Sequence, residues 1–333
     1  MRDDARVIRS AAPNRRACLV ALLATGLAAG RAAAAGFPTR PLTLVVPFAP
    51  GGIADLTARA VADAMAADLG QPVVVDNRPG AGAIAASTAV ARAAADGHTL
   101  LLVTNGHAVS RSLFRQLPYD AARDFAPISL LGQFDLGLFV AAEARWPTLA
   151  AWLAEARARP GRLSVGSIAV GSTQHLSAAW LQAHADVDVL RVPYTGTPAL
   201  LAALRGGEVD LAVEIVAPMR PQLDAGTVRA LALTGPARLA LLPAVPTADE
   251  AGLPGFVVAS WNALAAPAGT PPAVIARLQA AVAAALAAPA LRQRLEPLGM
   301  RLQASTPAEL ADWLGRETER WGGVVRRAGI EPR

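Results

Sequence analysis

Two glycine-containing turns carry the residues of this chain that are best suited to chemistry. The first turn, Phe48-Ala49-Pro50-Gly51-Gly52-Ile53-Ala54-Asp55, joins an apolar strand to an alanine-rich helix. Its glycines leave the backbone open to approach, and the first N–H groups of the helix have no partner inside the helix. Because the helix dipole adds partial positive charge there, the turn predicts an anion site, for which a carboxylate is the natural small guest.

A second turn of the same kind lies more than a hundred residues downstream, at Gly166-Ser167-Ile168-Ala169-Val170-Gly171-Ser172-Thr173-Gln174-His175. Ser172 or Thr173 is the expected N-cap of the next helix, and the hydroxyls and amides of the turn can hold a second pair of oxygens. His175 is expected to orient this loop by hydrogen bonding. Open α/β sheets bind ligands at such strand-to-helix turns, so the two turns predict a two-sided clamp on a small acid.

Other polar residues near strand ends are further candidates for the site. Asp55 is expected to cap its helix or to hold the first turn in shape. Tyr194 lies in a Pro/Gly-rich segment expected at the cleft rim. Glu214 ends an apolar strand, and its carboxylate is expected either to be solvated or to pair with a ligand amine or hydroxyl. Trp261 either closes the cleft or fills the core. The candidate ligand-binding residues are Phe48, Pro50, Gly51, Gly52, Ile53, Asp55, Asn105, Ser167, Gly171, Ser172, Thr173, His175, Tyr194 and Glu214.

Several kinds of site are disfavoured by the sequence. The segment Gly80–Ala85 has a G-x-G-x-x-A pattern, but four residues separate it from the preceding strand, where a dinucleotide fingerprint needs a tight turn. The four histidines are not spaced as metal ligands, and the single cysteine, Cys18, lies near the N-terminus. No G-x-S-x-G elbow is present, although a triad from distant segments stays open. We therefore expect no enzyme activity, cofactor or metal.

The first 35 residues have the layout of a secretory signal peptide. Arginines precede an apolar run, Ala17 to Ala29, that is too short to span a bilayer, and small residues precede Gly36. Export to the periplasm is therefore expected. The pair Arg15-Arg16 leaves both the general and the twin-arginine export routes open.

Removal of this leader changes the charge balance. Six of the 31 basic and two of the 26 acidic residues precede Gly36, so 25 basic and 24 acidic residues remain. A net charge near +1 gives no reason to expect nucleic-acid binding.

From Pro38 onward, apolar strand-like runs alternate with alanine-rich helical stretches. Strands are predicted near residues 42–46, 73–75, 98–103, 138–141, 163–165, 190–192, 211–213 and 230–234, and helices near 55–69, 82–94, 148–158, 173–185, 198–205, 271–287 and 307–321. This alternation predicts an α/β protein with largely parallel sheets.

Taken together, the motifs resemble the solute-binding receptors of tripartite tricarboxylate transporters, often called Bug-type proteins. The resemblance covers nearly the whole chain after the leader, and it is carried by the ordered segments Phe37–Pro41, Val46–Asp55, Leu69–Gly82, Asp96–Leu101, Pro118–Asp120, Asp124–Ile128, Gly166–His175, Val192–Tyr194, Leu231–Thr234 and Leu242–Thr247.

The resemblance implies a two-lobed periplasmic-binding-protein fold of the type II, Venus-flytrap kind, each lobe a mixed sheet flanked by helices. Residues 36–138 with 264–333 would form lobe 1, and residues 139–263 would form lobe 2. It further implies a monomer that captures a small carboxylic acid at the two turns and delivers it to membrane transporter subunits. The acid itself, whether a di- or tricarboxylate, an amino acid or an aromatic acid, stays open.

Three residues depart from the usual pattern of the family: Ala169 stands for glycine, Thr195 for lysine and Glu214 often for aspartate. Two other functions stay open at this point, a ligand receptor for a sensor kinase and a secreted hydrolase.

Overall fold

The computed structural model describes residues 36–332, so the expected signal peptide lies outside the described residues. The strands are β1 (Leu42–Val46), β2 (Val73–Asn77), β3 (Thr99–Val103), β4 (Phe125–Ala141), β5 (Ser164–Ile168), β6 (Leu190–Tyr194), β7 (Leu211–Ile215), β8 (Val228–Leu233), β9 (Ala259–Pro267) and β10 (Met300–Leu302). The α-helices are α1 (Ile53–Leu69), α2 (Ile84–Ala91), α3 (Asn105–Leu113), α4 (Leu149–Ala158), α5 (Thr173–Ala185), α6 (Thr197–Arg205), α7 (Val216–Asp224), α8 (Pro272–Ala287), α9 (Pro289–Leu295) and α10 (Pro307–Arg327).

One long strand, β4, organises the ten-stranded sheet. Up to Asp135, β4 pairs with β9 and β10, and from Leu136 it pairs with β7 and β8. We call β1, β2, β3, β9, β10 and the first part of β4 the first half-sheet. The second half-sheet comprises β5 to β8 and the end of β4. The two half-sheets are therefore continuous through a single 17-residue strand.

The sheet is mixed, which corrects the expectation of largely parallel pairing. β1 pairs in parallel with β2 and β3, and β5 with β6 and β7. β9, however, lies antiparallel between β3 and β4, and every pairing of β4 is antiparallel. Strand–helix alternation predicted only the parallel units, because β9 enters the first half-sheet from far along the chain.

Strands β1 and β3 form because their apolar runs are covered on both faces. Leu42 and Leu44 are buried in the main core, while Leu101 and Val103 are buried in a second core on the opposite face. Because β1 and β3 are parallel neighbours, their carboxyl ends meet at one edge of the sheet, where the first turn begins.

The last helix, α10, joins the two half-sheets from outside. It begins with a capping box formed by Thr306 and Glu309 and packs against both α3 and α5. Its buried Glu317 accepts hydrogen bonds from the indole N–H groups of Trp261, at 2.9 Å, and Trp321, at 2.8 Å. Trp261 is fully buried, so of its two predicted roles the structure supports core filling.

Between residues 36 and 332, no single helix is long and apolar enough to cross a membrane. Only α8 and the segment Pro289–Leu298 reach that length and composition together, and a 71° bend separates them.

Candidate functional site

The first turn presents the start of α1 to solvent. Gly51 has φ of +86°, a conformation that favours glycine, and Gly52 is the N-cap with φ of −80° and no side-chain cap. The first helical hydrogen bond runs from the Leu56 N–H to the Gly52 carbonyl at 3.0 Å. The N–H groups of Ile53 and Ala54 precede that bond, and residues 49–52 are exposed. The turn therefore offers backbone donors beside the positive end of a 17-residue helix.

Asp55 braces this turn from behind. Its buried carboxylate accepts hydrogen bonds from the Gly51 N–H at 2.9 Å, the Arg59 guanidinium at 3.0 Å and the Asn77 amide at 2.9 Å. The Asn77 amide also donates to the Phe48 carbonyl at 3.0 Å. Burial raises the pKa of Asp55, but the hydrogen bonds from Arg59, Gly51 and Asn77 outweigh it and lower the pKa below its ordinary value. All of these contacts lie within the protein, so the carboxylate holds the shape of the turn.

Asp55→Asn is expected to lower the free energy of unfolding by about 1–3 kcal/mol at pH 7, because an asparagine amide would face the Asn77 amide donor. The folded-state pKa of Asp55 is lowered, so the carboxylate adds to the free energy of unfolding above its ordinary pKa of 3.8. This added stability is lost as pH falls through the folded-state pKa. Thermal unfolding of both proteins between about pH 7 and pH 3 should show the difference shrinking in acid. A constant difference would contradict the bracing role of the ionised carboxylate.

The second turn is held by its own side chains. Ser172 is the N-cap of α5: its hydroxyl accepts from the His175 N–H at 3.1 Å and donates to the Ile168 carbonyl at 2.7 Å. The Gly171 N–H points to His175 Nδ1 at 3.5 Å. Ala169 and Gly171 both have positive φ, +29° and +87°, so the backbone is tightly turned at this point. These bonds fix the start of α5 in place.

The second turn meets the first half-sheet through polar side chains. Asn105, at the start of α3, donates from Nδ2 to the Thr173 hydroxyl at 2.7 Å, and that hydroxyl donates to the Ser260 hydroxyl at 3.1 Å. Asn105 and Thr173 are both buried. The structure thus brings together two predicted site residues and adds Ser260, a polar residue at the start of β9 whose local sequence gives no sign of a site.

Glycines allow the backbones to approach closely beside this contact. A Cβ on Gly171 would lie 3.3 Å from the Gly82 Cα, and one on Gly106 would lie 3.6 Å from the Gly171 carbonyl oxygen. The Gly82 N–H points to the Val170 carbonyl at 3.5 Å. Gly82 of the G-x-G-x-x-A segment therefore serves this backbone contact, which explains that glycine without a dinucleotide.

Three buried oxygens near this contact lack a hydrogen-bond partner among residues 36–332: Thr104 Oγ1, Asn105 Oδ1 and Asn262 Oδ1. Val103 pairs with Ala263 in antiparallel strands β3 and β9, so the next pair of positions, Thr104 and Asn262, lie opposite each other at one edge of the sheet. Buried polar groups are normally satisfied by protein, water or ligand. These oxygens therefore mark a place where a small polar molecule can be held.

Glu214 is buried, which contradicts the solvated alternative. Its Oε1 accepts from the Gln174 amide at 2.6 Å and the Ile215 N–H at 2.7 Å, and its Oε2 accepts from the Thr197 hydroxyl at 2.9 Å. Burial raises the pKa of Glu214 above its ordinary value, although these three hydrogen bonds oppose the rise. Gln174 and Thr197 begin α5 and α6, so Glu214 ties both helix starts to the end of β7.

Glu214→Gln is expected to keep this arrangement, because the amide oxygen can replace Oε1 and Thr197 can accept from the new amide N–H. Because the folded-state pKa of Glu214 is raised, its contribution to the free energy of unfolding is present below the ordinary value of 4.5. That contribution is lost as pH rises through the folded-state pKa. The melting temperature of Glu214→Gln minus that of the wild type should therefore increase between about pH 4 and pH 8. Parallel curves would show that Glu214 titrates normally.

The remaining predicted residues occupy separate places. Phe48 and Ile53 are partly buried against the main core, and Ser167 is buried within β5. The Tyr194 ring packs in an outer apolar cluster with Leu200, and burial raises the pKa of its hydroxyl. The Tyr194 carbonyl, rather than its ring, reaches the second turn, accepting from the Ala169 N–H at 3.0 Å.

The site as a whole offers neutral donors rather than paired charges. Arg59, the cation beside the first turn, is bonded to Asp55. Within residues 36–332 no group of three His, Cys, Asp or Glu side chains is placed to hold a metal ion. Helix starts and backbone N–H groups remain as the features that can attract and hold a small anion.

The same chain is similar to one family over most of its length. Residues 57–330 match the family described as "Tripartite tricarboxylate transporter family receptor". A UPF0065 protein of Pseudomonas sp. (strain P51) is 42% identical over 290 residues, covering 87% of this chain and 86% of that protein. Protein BugT of Bordetella pertussis is 36% identical over 311 residues, covering 93% and 95%.

Solved structures give the same result. An R. palustris protein solved with adipate superposes with a TM-score of 0.83 at 36% identity, covering 89% of this chain and 100% of that one. MatC from Rhodopseudomonas palustris, with bound malate, gives 0.79 at 38% identity, covering 87% and 100%. The periplasmic binding protein BugD gives 0.82 at 32% identity, covering 89% and 100%.

Proposed function

This chain belongs to the tripartite tricarboxylate transporter receptor family, and we propose that it captures a small carboxylic acid between its two strand-to-helix turns. The family resemblance inferred from the motifs is thereby confirmed, as is the α/β periplasmic-binding-protein fold. Members of this family are solute-binding receptors, and two structural neighbours were solved with the carboxylates adipate and malate.

The observation that carries the proposal is that each of the two turns begins a helix whose first N–H groups can meet a ligand. The first turn presents N–H groups at the start of α1, and the second presents the start of α5. A carboxylate placed there would accept hydrogen bonds from backbone donors, which are stronger to an ionised oxygen than to a neutral one. The unpartnered oxygens of Thr104, Asn105 and Asn262 are available for a donor on the same ligand or for ordered water.

Capture would proceed by closure of two lobes about β4. Strand pairing changes between Asp135 and Leu136 and just before Ala259, and we propose these points as the lobe boundaries, close to the crossings expected near Phe139 and near Trp261 to Leu264. The Asn105–Thr173–Ser260 contact would then lie between the lobes. A ligand that touches both turns stabilises the closed arrangement by its differential affinity for the two states.

The receptor would act outside the cytoplasm and hand its ligand to the membrane subunits of a tripartite tricarboxylate transporter. The supporting observations are the family itself and the leader-like first 35 residues. A balanced charge after leader removal gives no reason to expect a nucleic-acid partner, and the receptor is proposed to act as a monomer. The tight internal hydrogen bonding of Asp55, Ser172 and Glu214 supports binding without catalysis, since each side chain is engaged within the protein.

A thermal-shift screen of the exported protein tests the proposal. The panel contains adipate, malate, succinate, aspartate and benzoate, each beside the matching amide. A ligand at about 100 times its dissociation constant stabilises the folded state by about 2.7 kcal/mol, which raises the melting temperature by roughly 4 °C. We expect one or more acids to give this rise and their amides to give none. Equal rises with acid and amide would contradict a carboxylate clamp.

A further inference from the structure

A cavity beside helix α5 shares Val170 and His175 with the second turn and contains no residue of the first turn. Its volume is about 590 Å³, within the range of small-molecule sites. One wall is helix α5 and another is β6, the edge strand of the second half-sheet. The end of α3 and the C-terminal residues 329–331 close it. Its lining includes Val170 and His175 of the second turn but not Gly51, Gly52 or Ser172, so it adjoins the proposed carboxylate clamp at that turn.

Arg191 is the charged group of this cavity. It is half-buried on β6, and it forms no ion pair or side-chain hydrogen bond with any residue between 36 and 332. Burial lowers the pKa of its guanidinium from the ordinary value. Glu331 also lines the cavity, but no oxygen of it lies within 4.0 Å of the guanidinium. A half-buried cation without a counter-ion is costly, so an anion entering the cavity would gain from pairing with it.

The other lining residues indicate what kind of anion would fit the cavity. Gln182 and His175 lie seven residues apart on the same face of α5, and Gln182 Oε1 is buried without a partner in the described part of the chain. Leu113, Phe114 and Val189 are among the apolar residues of the lining. A guanidinium fork matches the geometry of a carboxylate, and these apolar residues favour a hydrocarbon body. The negative charge of Glu331 at the same cavity disfavours a second carboxylate on the guest.

We propose that this cavity binds a small amphipathic monocarboxylate, with its carboxylate on Arg191 and its hydrocarbon chain against Leu113 and Phe114. Gln182 supplies a hydrogen bond beside the carboxylate, since its amide can present either end. The site adjoins the proposed clamp at the second turn, but its anion partner, Arg191, is not one of the clamp residues.

Hexanoate is the probe, and hexanamide is its uncharged match. Calorimetric titration is made on the exported protein carrying Gly52→Pro, in which binding at the first turn is expected to be about 10- to 100-fold weaker. We expect hexanoate to bind this protein, hexanamide to bind at least about tenfold more weakly, and a further Arg191→Gln to lower the hexanoate affinity about tenfold or more. Arg162→Gln, at an exposed arginine outside the cavity, is the control and should leave the affinity unchanged.

Two results would overturn the proposal: no hexanoate binding in the Gly52→Pro protein, or binding that Arg191→Gln leaves unchanged. A crystal of the wild-type protein with hexanoate gives a readout that needs no variant, with the carboxylate expected about 3 Å from the guanidinium. The screen of acids on the wild type is scored separately, so failure of the clamp and failure of this cavity are distinguishable.

Discussion

Gly52→Pro is expected to weaken binding of the carboxylate ligand by about 10- to 100-fold, whereas Gly52→Ala should change it by less than about threefold. The proline removes one backbone N–H at the helix start, and a hydrogen bond to a charged oxygen contributes about 1.5–3 kcal/mol. Alanine keeps that N–H. The pair therefore separates loss of a donor from loss of a glycine.

Both substitutions fit the backbone, which makes the comparison fair. Gly52 has φ of −80°, near the value that proline requires, and it is the N-cap rather than a residue of the helix interior. A Cβ at Gly52 would meet only the Ala49 carbonyl oxygen, at 3.9 Å. Affinity is measured by calorimetry, with the melting temperature of each variant as the folding control. Equal affinity of the proline variant and the wild type would exclude this N–H as a ligand donor.

Glu317→Ala is expected to lower the free energy of unfolding by about 2–6 kcal/mol. Removal of the carboxylate leaves the indole N–H groups of Trp261 and Trp321 buried without an acceptor, at about 1–3 kcal/mol each. Both rings are fully buried, so water cannot easily replace the carboxylate. The expected loss is the sum for both indole N–H groups, because Glu317 Oε2 accepts both hydrogen bonds.

Glu319→Ala is the matched control on the same helix, since Glu319 is exposed and belongs to no ion pair within the described residues. It should change stability by less than about 0.5 kcal/mol. Urea unfolding followed by tryptophan fluorescence measures both variants. If Glu317→Ala were as mild as Glu319→Ala, the tryptophan bonds would not contribute to the joint between α10 and β9.

The fold was predictable where local pattern determines it. Runs of branched aliphatic residues placed β1 and β7, and α5 was predicted with the bounds that it has. Strand β9 was missed because its sequence, ASWNALAAP, is rich in alanine, and only the flanking strands β3 and β4 make it extended. Helix α3 was missed because NGHAVSRSL has weak helix formers, and packing against α10 decides its structure.

The candidate site also has some features that local sequence predicts and others that only tertiary contacts determine. Both turns were found because glycine, proline and an N-cap residue are local signals. The burial of Glu214 was not predictable, since it depends on Gln174 and Thr197 from two other elements. The meeting of Asn105 with Thr173 across 68 positions is likewise set by the arrangement of the half-sheets. Arg191 carried no sequence signal, because an arginine on an edge strand is ordinarily solvated.

The position of β9 has a consequence for the order in which the chain can fold. Strands β5 to β8 and the end of β4 are complete once residue 233 has been made, so the second half-sheet can form from contiguous chain. The first half-sheet cannot, because its central strand arrives only at Ala259–Pro267. Until then β3 and the start of β4 have unpaired edges, which are prone to wrong pairing. The half of the molecule that is made first is therefore the half that is completed last.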